Sequence, residues 1–182
     1  MSLAIETVSA DELAASLPDY ARLLHDCVHA GASINFVMPF GLADAEAFWT
    51  RKVLPGLQAG GLILLATRIE GVLAGSLQLD YDTPPNQRHR AELRKMIVHP
   101  SFRRRGIARA LIAEAEAMAL GLGRTLITLD TRTGDFAEPL YTSVGFQTAG
   151  IIPAYARDVF EDRLDDCTFM YKRLAVRDRE TA

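Results

Sequence analysis

Cysteine is scarce in this chain of 182 residues, with Cys27 and Cys167 its only two. They stand far apart and outside any metal-type spacing, which excludes a disulfide-stapled scaffold and leaves two buried thiols as the expectation. Long apolar runs are missing as well. No stretch approaches the roughly 20 residues that a membrane span needs, and the opening MSLAIETVSADE has neither a basic flank nor an apolar signal core. The expected setting is soluble, reducing and cytoplasmic, with no membrane partner and no bound metal. Excess positive charge is absent too, and a net charge of −3 argues against general affinity for nucleic acid. Neither a Walker loop nor G-x-G-x-x-G occurs, so the common nucleotide-binding loops are also excluded.

What is present is 49% hydrophobic residues in a length that suits one domain, 1–182, with a core over about 3–174 and a polar tail at 175–182 expected to fray. The rest of the chain is organised around Ala91 to Leu111. Glu92 to Val98 is apolar and β-branched enough for a strand, and His99-Pro100 ends it. An arginine-rich loop follows. From Gly106 the period becomes 3.6, with Ile107, Leu111, Ala115, Met118 and Leu122 on one face of an amphipathic helix. Strand, basic loop, glycine and helix together make an anion cradle, because the free amides of a first helical turn and the positive end of its dipole point forward. Arg88, Arg90, Arg94, Lys95, Arg103, Arg104, Arg105 and Arg109 oppose the single acid Glu92 there, a focus suited to a small polyanion. A solvated basic turn is the plain alternative.

Around this unit the chain alternates. Ala4 to Val8 reads as a short strand, and Ser9-Ala-Asp-Glu12 as a capping box opening a helical region that Pro18 kinks or splits. His25 and His29 imitate a zinc-helix spacing, but the acid between them is Asp and no third ligand is evident, so ordinary helix residues are expected. A second helix is expected over about 44–54, interrupted by Pro55-Gly56. Leu62 to Ile69 and Val72 to Tyr81 form a hairpin, and 82–90 a polar loop. Gly121 and Gly123 stop the central helix. Thr125 to Thr131, a short helix at 136–144, and closing strands at 147–152 and 167–174 complete the order, the last two separated by a charged loop from Pro153 to Asp166.

Arg103-x-x-Gly106-x-Ala108 resembles the Q/R-x-x-G-x-G/A signature of the GNAT (GCN5-related) N-acetyltransferases, and Leu140-Tyr141 through Gly145-Phe146 resembles their L-Y-x-x-x-G-F signature. Ala108 stands where many members have glycine. Segments 29–33, 85–92, 129–131 and 153–155 are similar to the tabtoxin resistance acetyltransferase branch. The resemblance implies a single-domain α/β fold: a mixed, mostly antiparallel sheet of about seven strands with a splayed central parallel pair, flanked by about four helices. It implies acetyl-CoA as co-substrate. Met96, Ile97 and Val98 would offer amides to the pantetheine arm and thioester; Arg103, Arg104, Arg105, Gly106, Ile107, Ala108 and Arg109, with Glu138 and Tyr141, would complete the coenzyme site.

The chemistry of amide formation needs a base, an oxyanion site and a tolerated leaving thiolate. Glu92 and Asp130 are the candidate bases, and Tyr141 the candidate acid that would protonate or hydrogen-bond the departing thiolate. Glu92 could instead bridge Arg94 or Lys95, Asp130 could be a strand-end acid, and Tyr141 and Phe146 simple core aromatics. Ser33, Asn35, Phe36, Asn86, Arg90 and Tyr155 are the candidate acceptor contacts. A small amine, such as an amino-acid-like toxin or antibiotic, is the expected acceptor, its carboxylate facing a basic rim at Arg88 and Arg90. A peptide amino-terminal acetyltransferase and a non-catalytic acyl-CoA-binding module are the alternatives. A homodimer could form through the Cys167 to Leu174 strand.

Overall fold

The computed structural model describes residues 3–175; the tail expected to fray lies almost wholly outside the described residues. One continuous sheet of seven strands runs through it in the order β1-β2-β3-β4-β5-β7-β6. These are β1 Glu6–Val8, β2 Leu62–Ile69, β3 Val72–Asp80, β4 Arg90–Val98, β5 Leu126–Arg132, β6 Gln147–Arg157 and β7 Leu164–Arg173. Every neighbouring pair is antiparallel except β4 and β5 at the centre. That is the mixed α/β sheet expected.

Helices cover both faces. α1 Ala10–Ala15 and α2 Leu17–His29 divide where Pro18 stands in the first turn of α2, a position that needs no backbone N–H. The capping box at the start of α1 is present, with the Ser9 hydroxyl accepting from the Glu12 amide and the Glu12 carboxylate accepting from the Ser9 amide. α3 Leu42–Phe48 runs through a π turn, Trp49–Val53, into α4 Leu54–Ala59. Pro55 therefore does not break the helix as expected. It sits at the start of α4, and the irregularity falls one turn earlier.

One core lies between these helices and the sheet, around Tyr20, Leu24, Trp49, Leu64 and Ile97. Trp49 is fully buried, packs edge-on against Tyr20 at 5.0 Å and donates its indole N–H to the Tyr20 carbonyl at 2.8 Å. The other core lies under α5 Ile107–Gly121 and α6 Ala137–Ser143, around Leu65, Leu77, Leu111, Ile112, Ile127 and Met170. The buried stripe of α5 is Ile107, Leu111, Ile112, Ala115 and Ala119, whereas Leu122 stays 43% exposed just past the helix end. Gly121 lies inside the helix, so Gly123 rather than Gly121 marks the stop. Gly75 of β3 lets α5 settle close to the sheet: a Cβ there would stand 2.9 Å from Ile107 Cγ2 and 3.0 Å from the Ile97 carbonyl.

The closing strands are longer than expected. β6 carries Pro153 within a bulge between Ile152 and Ala156, possible because β6 is the sheet's edge, and the expected charged loop shrinks to 158–163. β7 is paired on both sides, so the free edge at this end is β6, not the strand at 167–174.

Candidate active site

The parallel pairing of β4 with β5 lasts three residues, Arg90 to Leu126, Ala91 to Ile127 and Glu92 to Thr128. Beyond Glu92 the strands diverge. On its other side β4 bulges: Arg94 pairs with Gln78 and Ile97 with Ser76, so Leu77 faces both Lys95 and Met96, and Lys95 adopts φ 48°. The bulge resets the alternation. Ala91 and Leu93 face the α5 core and so do Met96 and Val98, while Lys95 joins Glu92 and Arg94 on the other face. The divergence opens a cleft of about 1200 Å³ at the carboxyl ends of both strands.

At one end of the cleft lies the start of α5. Its N-cap is Gly106 at φ 82°, with no side chain accepting from the first-turn amides. A Cβ at Gly106 would meet nothing within 4 Å, and Ile107, Ala108 and Arg109 line the cleft with it. Arg103, Arg104 and Arg109 line the same end; Arg103 Nε lies 3.4 Å from the Val98 carbonyl, and Arg109 reaches Ser143 Oγ at 2.8 Å. Arg105 instead covers the Phe102 ring at 5.2 Å. Glu138 turns back to accept the Gly134 amide at 2.8 Å, off the cleft wall. An uncapped helix start beside a strand that has lost its β5 partner and three arginines fits a group with a diphosphate and an amide-bearing arm. Met96, Ile97 and Val98 line the stretch between.

Glu92 and Asp130 line the other part of the cleft. With Glu92 opposite Thr128, Asp130 lies two residues further along β5, on the same sheet face. Glu92 is 3.5 Å from Arg90, which also bonds Thr128 and Gln87. Asp130 accepts from the Cys167 thiol at 3.7 Å, and burial, then Asp130, push that thiol up to about 11. Tyr141 is buried against Phe146 and lines the cleft; burial, then Asp130 and Asp135, hold its phenol above the ordinary value, so it is a donor at neutral pH.

Of the candidate acceptor contacts, Ser33 and Asn35 line the cleft. Phe36 sits behind Lys95, with the Lys95 ammonium 5.9 Å from its ring. Asn86 is exposed in the turn Pro85–Gln87, ahead of the closed end of the strand pair, and Tyr155 packs on Phe169 at 5.4 Å, half-exposed. The pattern-bearing His25 and His29 stack at 4.0 Å, and His29 Nε2 is within 2.8 Å of the Phe40 carbonyl. Among the described residues no three His, Cys, Asp or Glu side chains converge as a metal site.

A wall not anticipated from sequence closes one side. Arg132 of β5 meets Asp158, Asp135 and Asp165 at 3.2, 3.4 and 3.6 Å. Asp158 also accepts the Phe160 and Glu161 amides at 2.9 Å and Arg163 at 2.9 Å. These bonds, the Phe160 amide foremost, hold its carboxyl well below the usual carboxylate range. The Val159 carbonyl takes the Met38 amide at 2.9 Å, tying the wall to the segment after α2.

A sheet divided at a parallel pair, with an uncapped helix start at one end of the gap and carboxylates at the other, suits a group-transfer enzyme. Residues 34–146 match the model of the Acetyltransferase (GNAT) family, and the chain belongs to that family. It is 31% identical over 125 residues to an uncharacterized N-acetyltransferase of Azospirillum brasilense, covering 68% of this chain and 72% of the relative. An acetyltransferase of Pectobacterium atrosepticum is 32% identical over 102 residues, 56% of this chain and 68% of its own. Among solved structures, a ribosomal-protein-alanine N-acetyltransferase from Brucella melitensis shares the fold with a TM-score of 0.77 at 24% identity, over 94% of this chain and all of that one. A phosphinothricin acetyltransferase from Sinorhizobium meliloti, solved with acetyl-CoA, superposes at 0.76 with 20% identity, over 96% and 90%.

Proposed function

We propose that this acetyltransferase works as a single domain that moves an acetyl group from acetyl-CoA to the amine of a small molecule by direct attack. The observation that carries the reading is the two-ended cleft: Glu92 and Asp130, from separate strands, face the space that the uncapped start of α5 also faces. Acetyl-CoA supplies an activated thioester. Gly106 to Arg109, with Arg103 and Arg104, hold its diphosphate, and the Met96 to Val98 amides orient the arm and the thioester oxygen. Glu92 and Asp130 bind the acceptor's ammonium and take one proton from it, directly or through water; the neutral amine so formed bonds to the acetyl carbon, the carbon–sulfur bond breaks, and the second nitrogen proton balances the one the departing thiolate takes up to leave as thiol. Tyr141 donates a hydrogen bond to the departing sulfur. A phenol above its ordinary value near 10 does not hand its proton fully to a thiolate of pKa about 8.5, so its contribution is stabilisation of the leaving charge.

The wall at 158–163 narrows the cleft and supports a small acceptor over an extended peptide. The likeness of segments 29–33 and 129–131 to the tabtoxin resistance branch supports a role against an amino-acid-like toxin or antibiotic. Two free thiols suit a reducing cytoplasm. No helix among the described residues is long and apolar enough to cross a membrane. A second copy would meet this end of the sheet along β6, where Ile151, Ile152 and Tyr155 are exposed.

The test is release of coenzyme thiol across a panel of amino-acid toxins, aminoglycosides, polyamines and short peptides. Acceptor-dependent release with small amines is expected. Release with peptides alone, or with nothing while acetyl-CoA binds, would overturn it.

A further inference from the structure

We propose that Lys95 is the anion anchor of the acceptor site, receiving the carboxylate of a substrate that carries both an amine and a carboxylate. The inference rests on the reading of the cleft as a site of N-acetyl transfer and assigns its substrate class: free amino acids and their close analogues.

The bulge in β4 is what places Lys95. Regular alternation would turn residue 95 to the face of Ala91 and Leu93, under α5; the extra residue opposite Leu77, at φ 48°, turns it to the face of Glu92 instead. A lysine in the left-handed region is strained by about 1 kcal/mol or more, so the arrangement costs stability that a regular strand would keep. The ammonium stands 5.9 Å from the Phe36 ring and 6.0 Å from Phe48, aromatic faces that tolerate a cation without consuming its hydrogen bonds. The other cations of this face are engaged. Arg94 is paired with Asp80, Arg90 with Glu92 and Thr128, and Arg132 with Asp135, Asp158 and Asp165. Lys95 has neither an ion pair nor a hydrogen bond among the described residues, although it lines the cleft and has three N–H donors to give.

Its position is opposite in sense to the two carboxylates. Glu92 and Asp130 suit an ammonium, and Lys95 on the same face suits a carboxylate, so the pair of signs matches a zwitterion held in one orientation. Burial, then Arg94, pull the Lys95 pKa down to about 8, against Asp130 and Glu92, so the side chain is still mostly charged at pH 7. The coenzyme phosphates do not compete for it, because Phe36 and Phe48 belong to the helical layer opposite α5. The anion site thereby moves from the expected rim at Arg88 and Arg90, which lies ahead of the paired end of β4, into the cleft itself.

The test compares amino acids with their decarboxylated amines: L-lysine with cadaverine, L-histidine with histamine and L-tyrosine with tyramine, each with saturating acetyl-CoA. The wild type is expected to prefer the carboxylate-bearing member. In Lys95→Met its kcat/KM falls about 50-fold, mostly through KM, and far more than for the matched amine, so the preference collapses. Lys95→Arg restores part of it. A wild type without the preference, a Lys95→Met that keeps it, or a Lys95→Met that loses acetyl-CoA affinity overturns the assignment and leaves N-acetyl transfer standing. No transfer to any member of any pair, by a protein that binds acetyl-CoA, overturns both.

Discussion

The two ends of the cleft are built from different materials. The end proposed for the coenzyme is mostly backbone: an αL glycine, an uncapped helical turn, and a strand whose pairing with β5 stops at Glu92. The acceptor end is mostly side chains drawn from β4, β5, the segment after α2 and the β6–β7 connection, held by ion pairs through Arg132 and Asp158. Backbone amides offer one recognition pattern whatever the surrounding side chains, which suits a co-substrate that does not change. Side chains can be exchanged singly, which suits an acceptor that differs from one relative to another.

If this division is sound, variants should separate binding of the two ligands. The largest effect is expected from Glu92→Gln combined with Asp130→Asn, with kcat down about 1,000-fold and acetyl-CoA affinity, read by calorimetry, within about twofold. A double variant that kept most of its kcat would break the assignment of bases. Gly106→Val should do the converse. A β-branched residue is strained at φ 82° and would shift the first turn of α5, so the coenzyme Kd should rise about 30-fold while the acceptor KM changes little. Tyr141→Phe is milder, lowering kcat about tenfold with coenzyme affinity retained; loss of that affinity would mark the tyrosine as structural.

The smallest effect concerns the wall. Asp158 has a folded-state pKa below its unfolded value, so its stabilisation is complete above about pH 4 and fades as pH falls through the lower folded value. The Tm difference between wild type and Asp158→Asn should therefore be constant from about pH 8 to 5 and shrink only in stronger acid. A difference that vanished near pH 6 would show that the ion pairs, and not the wall's other contacts, are absent in solution.

The strand, loop and helix start at one end of the cleft were legible in the chain because their signals are local. Gly106 precedes a run of helical period, and His99-Pro100 ends a run of strand residues, each within one turn of the feature it predicts. The acceptor end depends on register. Glu92 and Asp130 share a face only because Glu92 pairs with Thr128, and Lys95 points into the cleft only because β4 slips by one residue. That slip does leave a trace, the positions facing the α5 core changing from odd at Ala91 and Leu93 to even at Met96 and Val98, but it is short and confounded by Ile97, which is buried on the other face. Arg132 with Asp158, and Met38 with Val159, join positions far apart in sequence and carry no pattern at all. Asn86 and Tyr155, chosen by likeness, lie off the cleft for the same reason: likeness of a segment does not say which way it faces.

The brevity of the central pairing has a mechanical side. Among the described residues the ladder that joins the four strands on one side of the sheet to the three on the other runs only from Arg90 to Glu92, helped by the His89 carbonyl, which takes the Thr125 and Leu126 amides, and by the core under α5. A ligand whose arm bonds to β4 and whose acceptor partner bonds to β5 supplies the stitches that the strands lack. Occupancy and cohesion are then one quantity: at a hundred times Kd such a ligand adds about 2.7 kcal/mol to global stability, and the added protection from amide exchange should appear first along Leu93 to Val98 and Leu129 to Arg132, the two free margins of the seam.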